Sequence, residues 1–534
     1  MKSGFRQSMA WLHTWTGILV SWLLYFIFVT GTLGYFDSEI DAWMAPELPQ
    51  NTASVSASLN TANAHLNTYG RDAKEWRIYL PIVRSEPHLW LRYQQKNADG
   101  KLKNISKTLN GENGEELTHR KTGGGQALYR MHYRLHYLPK QFAYYLVGVF
   151  TVFMLLGLVT GIVVHKKIFK EFFTFRRNKG ASSWLDGHNL MSVVSLPFHL
   201  MITYSGLIMF MFTYVPFVMN ASYGFGEENK QRFFDDYYQR GAPNSASGIV
   251  ANQLPLNTLY QKAEAVLENH NDARRAIAIR VFHPYDLNSL AVFSLEQKSP
   301  SDDGAKLILH ATTGELYSYT PMYQGTRHVH SIFLELHEGM FATLPVRWLY
   351  FFAGLTGCVM IASGMVLWTT KRRKKALANP DGLPFSFKLT EGLNIGTVVG
   401  LPAAIAVYFL ANRLIAVDFA HRVDWEMHSF FITWCCFIGY GCWYSARKLA
   451  AVAWYRLWLT AGFLFALVPI VNALTTHRGL INSIKHNDVV FAAFDFINLV
   501  AAISCFAIAI MVKKHRLKTI AHKLQHTRQK EAAV

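Results

Sequence analysis

Stretches of about 20 apolar residues, the length of helix that crosses roughly 30 Å of hydrocarbon, recur near residues 12–36, 142–164, 189–216, 347–369, 393–412, 428–446, 454–474 and 489–512. They predict eight membrane-spanning helices. The first is read as a retained helix: its apolar part is too long and too aromatic for a signal peptide, and Gly34-Tyr35-Phe36-Asp37 is a poor cleavage site. Two long polar segments, 37–141 and 217–346, interrupt the series. Each carries period-two alternation followed by a turn and a short strand: Trp76–Leu80, His88–Arg92 and Gly111–Leu117 in one, Ala276–Val281, Leu290–Ser294 and Ala311–Leu316 in the other. Each predicts a small α+β module.

Composition sharpens this picture. With 51% hydrophobic and only 16% charged residues, the 534-residue chain is too apolar for a single water-soluble domain. The formal charge of +18 would by itself point to nucleic acid, but the bases flank apolar runs. They cluster as Lys166, Lys167, Lys170, Arg176, Arg177 and Lys179, as Lys371 to Lys375, as Arg447 and Lys448, and in the tail after Lys513. Bases in that arrangement mark the cytoplasmic side. Both termini are then expected inside, with 37–141, 217–346, 413–427 and 475–488 outside. All five cysteines lie inside apolar runs, which argues against a disulfide framework or a cysteine metal site.

The chain repeats itself. His13 precedes Gly31 by 18 residues and His188 precedes Gly206 by the same 18; His136 precedes Gly161 by 25 and His337 precedes Gly364 by 27. The first four spans thus read as two copies of helix, outer module, helix, and 376–512 as a four-helix extension ending in a basic tail, 513–534.

Nine of the 22 histidines, His13, His132, His136, His165, His188, His199, His328, His330 and His337, fall at or within the ends of those four spans. Ionisable groups at membrane depth are costly and usually functional. Imidazole is the usual axial ligand of b-type haem, and the chain has no Cys-x-x-Cys-His for covalent attachment. The competing reading is interfacial hydrogen bonding. Topology gathers His13, His165 and His188 at the inner face and His132, His136, His328, His330 and His337 at the outer; on a straight helix His199 lies ~16 Å beyond His188. The repeat pairs His13 with His188 and His136 with His337 around two haems, with His165, His199 and His132 as competing ligands. Gly157, Gly161, Gly354, Gly357 and Gly364 would admit either a flat macrocycle or a neighbouring backbone. Asp495, His421, Asp424 and His428 in the extension would serve either as proton acceptors for a quinol or as structural hydrogen-bonding groups.

Several stretches carry a family resemblance: Arg6 to Gly31 with His13, Trp15 and Gly17; Gly161-Ile162-Val163-Val164-His165-Lys166-Lys167-Ile168-Phe169; Trp184-Leu185-Asp186-Gly187-His188-Asn189; Leu196-Pro197-Phe198-His199; and Leu336-His337-Glu338-Gly339. Over roughly residues 5–375 the chain resembles the PepSY-associated transmembrane helix family. The resemblance implies a four-helix haem-bearing core with PepSY-like periplasmic modules in the bacterial inner membrane, and a ferric siderophore as substrate. The expected fold is therefore an α-helical polytopic membrane protein with two small α+β periplasmic modules.

The expected activity is one-electron reduction of a periplasmic ferric chelate, since Fe(II) is held less well than Fe(III) by hard oxygen ligands. No Gly-x-Gly-x-x-Gly fingerprint follows a strand, so the electrons are expected from a quinol or a separate reductase. Two other classes stand beside this one. The first is a transporter for iron or siderophore, the second a non-enzymatic PepSY protein that binds partners. The absence of a Walker loop argues against an ATP-driven pump.

Overall fold

The computed structural model describes residues 4–50, 53–82, 84, 86–96, 102–165, 176, 179–238 and 244–531. Lys166, Lys167, Lys170 and Arg177, singled out above, lie outside the described residues. The stretch expected to be the first copy runs α1 (Phe5–Gly34), α2 (Asp37–Met44), α3 (Val55–Tyr69), β1 (Glu75–Tyr79), β2 (Leu89–Lys96), β3 (Leu102–Leu109), α4 (Gly124–Arg134) and α5 (Lys140–Val164). The second runs α6 (Ala181–Val194), α7 (Leu196–Met209), α8 (Met211–Tyr214), α9 (Phe217–Tyr223), α10 (Glu227–Tyr237), α11 (Leu256–Asn269), β4 (Ala276–Phe282), β5 (Leu290–Leu295), β6 (Lys306–His310), β7 (Leu316–Thr320), α12 (Gly325–Glu338) and α13 (Leu344–Leu377). The extension adds α14 (Phe385–Leu414), α15 (Arg422–Ala446), α16 (Ala450–Thr475), α17 (Leu480–Lys485) and α18 (Val489–Glu531).

These elements form two units, Met1–Pro46 with Arg120–Thr203 and Trp348–Val534, and Glu47–His119 with Tyr204–Arg347. In the first, α1, α5, α13, α14, α16 and α18 are long and apolar enough to cross a membrane, and the bent pair α6 and α7 makes a seventh candidate. The remaining expected span, 428–446, lies in α15, which is long enough but less apolar. The chain is a multi-pass membrane protein.

Between α6 and α7 the axis turns by 67°. Pro197 explains the break: it has no N–H to offer the carbonyl of residue 193, and its ring clashes there, whereas it is tolerated in the first turn of α7. The straight-helix spacing of His188 and His199 therefore does not hold. In the extension, Gly392 and Gly396 on α14 bring α15 so close that a Cβ at either would strike the α15 backbone, at Cys442 and Ile438. Asp495 is fully buried and accepts from Trp43 Nε1 (3.1 Å) and Asn472 Nδ2 (2.9 Å), so it ties α18 to α2 and α16.

The second unit holds one seven-stranded antiparallel sheet in the order β3-β2-β1-β4-β5-β6-β7. The two segments expected to form separate modules thus share a single sheet. They join where β1 pairs with β4, with Trp76 opposite Val281 and Ile78 opposite Ile279. The buried faces of α3 (Leu59, Leu66) and α11 (Leu259, Ala263) pack into one core with Trp76, Ile78 and Phe293; each such leucine contributes roughly 2 kcal/mol. Burial alone would push the Glu75 carboxyl up, but guanidinium hydrogen bonds from Arg280 and Arg77 hold it below its usual range. Arg280 spans the β1–β4 joint to reach Glu75 at 2.6 and 2.7 Å.

Candidate functional site

In the membrane unit, α1, α5, α6 and α13 enclose a cavity of about 330 Å³ lined by His13, His165 and His188. The sequence expectation that these three converge is met. The His13 and His188 rings lie with their centres 6.3 Å apart and their planes at 64° to one another. A separation of that size would leave room for one metal ion with metal–nitrogen bonds of about 2 Å to each ring.

The two rings are held in the same way. His13 Nδ1 lies 3.0 Å from the Gly157 carbonyl and 3.1 Å from Thr160 Oγ1; His188 Nδ1 lies 2.9 Å from the Met360 carbonyl. A carbonyl can only accept, so each Nδ1 carries its hydrogen and each Nε2 keeps its lone pair. Metal-binding histidines are typically oriented by such a bond. Each carbonyl lies four residues before a glycine, one helical turn away. A Cβ on Gly161 would sit 3.4 Å from His13 Cε1, and one on Gly364 would sit 3.2 Å from His188 Cε1. Gly17 and Gly157 line the cavity with open space where a side chain would go. At one end are Lys371 and Arg372, the latter's guanidinium 4.2 Å from the Trp368 ring centre and 5.3 Å from that of Trp15. Apolar walls, two imidazoles and two cations fit a flat, anionic metal macrocycle. Among the described residues no group of three or more His, Cys, Asp or Glu is placed to hold a bare metal ion.

The other candidate histidines are spread out. His132 on α4 contacts the Ile27 carbonyl through Nδ1 at 2.8 Å, again four residues before a glycine, Gly31, where an added Cβ would strike its ring. His199 is fully buried, with Nε2 3.2 Å from the Ala353 carbonyl and no hydrogen-bond partner for Nδ1 among the described residues. His136 is exposed and stacks on Phe431 of α15 at 5.9 Å. His337 belongs to the second unit, where its Nδ1 lies 2.9 Å from Ser205 Oγ, next to Gly206. His428 Nδ1 and the Tyr137 hydroxyl are hydrogen-bonded at 2.6 Å, and exposed His421 pairs with Asp424 at 3.5 Å. Sequence reasoning did not single out Thr160 and Met360, which orient the rings. No sequence signal marks them, because every helical glycine has a residue four positions before it and a backbone carbonyl is common to all residues.

Apolar helices around a histidine-lined cavity, in a chain that also carries a unit built on an antiparallel sheet, define a multi-pass membrane protein. The chain belongs to the PepSY-associated TM region family, which matches residues 10–371. All of the cavity lining except Arg372 falls within that match. Over 353 residues, 61% of this chain and 85% of the relative, it is 24% identical to an uncharacterised protein of Pseudomonas aeruginosa. Helices α14 to α18 lie beyond the family match.

Proposed function

We propose that the protein is an inner-membrane b-type dihaem oxidoreductase that passes electrons across the membrane to a periplasmic ferric chelate, a ferric siderophore in the first instance. The reading rests on His13 and His188, which line one cavity with ring centres 6.3 Å apart, each with Nδ1 committed to a backbone carbonyl. Haem bound there would supply one-electron chemistry at a potential set by its ligands. The chain's own task is to fix the two imidazoles, keep water away with the apolar wall, and offer Lys371 and Arg372 to acidic side groups. One electron converts substrate Fe(III) to Fe(II), which hard oxygen donors release more readily. In this reading the protein crosses the membrane eight times with both termini in the cytoplasm, and a quinol or a separate reductase supplies the electrons. The outer ligands come from among His132, His136, His199 and His337.

The test is an absorption spectrum of the detergent-purified chain, oxidised in air and then reduced with dithionite, with a pyridine haemochrome count. Two b-type haems per chain are expected. A haem-free protein after expression with ample haem would sink the reading and leave transport or partner binding.

A further inference from the structure

The second unit holds a buried polar cluster for which the electron-transfer reading has no use. Arg327, His330 and Glu335 come from α12, Tyr237 from α10, and Gln297 and Asp303 from the turn between β5 and β6. Gln297 Nε2 donates to Asp303 Oδ1 at 3.3 Å and to Glu335 Oε1 at 3.1 Å. The Arg327 guanidinium lies 3.3 Å from the ring centre of Tyr323 and 5.4 Å from that of Tyr237, which packs edge-on against His330 at 5.8 Å.

Arg327 Nε and Nη2, His330 Nε2 and Glu335 Oε2 are sealed from water and have no hydrogen-bond partner among the described residues. His330 is only 8% exposed and Glu335 only 6%. Buried polar atoms are nearly always paired, so this concentration of unpaired ones on a single helix calls for a partner. The identity of the guanidinium edge says which kind. Elsewhere the chain uses the Nε and Nη2 edge to grip carboxylates: Arg280 on Glu75 at 2.6 and 2.7 Å, Arg274 on Asp272 at 2.9 and 2.6 Å, and Arg176 on Asp186 at 2.9 and 2.6 Å. Arg327 has the same edge, stacked and oriented by two tyrosines, with no carboxylate on it; Asp303, the acid beside it, bonds Gln297 instead.

We propose that Arg327 binds the carboxylate of a small-molecule ligand through this edge, with His330 Nε2 and Glu335 Oε2 completing the ligand's hydrogen bonds. Burial and the neighbouring Asp303 raise Glu335 to about 8, so at neutral pH it carries a proton it can donate and does not repel an anion. That the ligand is a carboxylate-bearing ferric chelate rests on the function proposed above; the existence of the site does not.

The experiment is calorimetric titration of the full-length protein in detergent with citrate, with ferric citrate, and with a ferric trihydroxamate that has no free carboxylate. R327K keeps the charge but loses the planar edge. It is expected to weaken citrate binding by about tenfold or more, with haem content and thermal midpoint unchanged. H330L, which removes only the imidazole, gives an independent reading should R327K misfold, and is expected to weaken citrate binding several-fold. Equal binding of citrate and ferric citrate supports a general carboxylate site; binding of ferric citrate alone supports the chelate as the source. The proposal is overturned by no binding of either at millimolar concentration, by unchanged binding in both variants, or by a trihydroxamate that depends on Arg327 as strongly as citrate does. Citrate binding by a haem-free protein would remove the electron-transfer reading and leave this one standing; haem without citrate binding would do the reverse.

Discussion

The two copies of the repeat in the membrane unit hold their histidines alike but build the supporting helices differently. His13 rises from a continuous α1 and rests on α5; His188 rests on α13 in the same manner but stands on α6, which breaks from α7 by 67°. The carbonyl that fixes each ring comes from Gly157 in one copy and Met360 in the other, and the nearby hydroxyl from Thr160 at 3.1 Å or Ser363 at 3.5 Å. What the copies share is the direction of each imidazole and the glycine beside it. The direction of the imidazole is the feature a bound macrocycle would require.

The strongest way to break the comparison is to remove either ring. H13A and H188A are each expected to lose the same haem, about one per chain, and the double variant to lose no more, as counted by pyridine haemochrome. If one variant kept both haems, the two residues would not be acting as a pair.

Next in size is the helix break. If Pro197 causes it, P197A lets α6 run on into α7 and draws the segment off α13, where Thr356 Oγ1 bonds Ser195 Oγ at 2.8 Å and the Ala353 carbonyl meets His199. Loss of two such bonds, about 1 kcal/mol each, should lower the thermal midpoint by several degrees while the spectrum of the His13–His188 haem stays as it was. A midpoint unchanged or raised would assign the bend to packing and not to proline.

The glycines give a smaller effect that differs between the copies. Alanine gains about 1 kcal/mol over glycine inside a helix. At Gly161 the new methyl meets His13 at an ordinary 3.4 Å, so G161A should keep that gain. At Gly364 it meets His188 at 3.2 Å, so G364A should spend the gain on moving the ring. Thermal melts and haem retention during gel filtration should therefore separate the two variants, with G364A the worse. The opposite order would mean that His188 has more room than His13.

Much of this was legible in the sequence because its signals are local. Runs of apolar residues marked α1, α5, α13, α14, α16 and α18, and the equal spacing of His13 to Gly31 and His188 to Gly206 singled out a pair that lines the cavity. Period-two alternation located β1, β2, β4 and β5. It could not reveal that β1 pairs with β4, because that joint matches residues some 200 positions apart and alternation carries no record of partner or register. The bend at Pro197 was written in the chain, yet apolar length alone read 189–216 as one straight span. His136 was paired with His337 by spacing; in the structure it is exposed and stacked on Phe431, a residue of the extension that the repeat does not include. Asp495 shows the same limit, since only the fold reveals that Trp43 and Asn472 occupy its oxygens.

The finest test of the comparison is the hydroxyl beside each ring. Thr160 donates its own hydrogen to the Leu156 carbonyl at 2.7 Å, which leaves its oxygen as a second acceptor for His13 Nδ1–H. An acceptor behind a metal-binding imidazole makes the ring a stronger donor to the metal, which favours the ferric over the ferrous state. T160V removes one of two acceptors and should raise the midpoint potential by roughly 20–40 mV, on the scale of about 59 mV per tenfold change for one electron. Ser363 stands 3.5 Å from His188 Nδ1 and gives its own hydrogen to the Met360 carbonyl, so S363A should leave the potential where it was. Redox titration of the two variants side by side measures the asymmetry directly. Equal shifts would mean that the two hydroxyls are equivalent, and that the copies match even where the distances separate them.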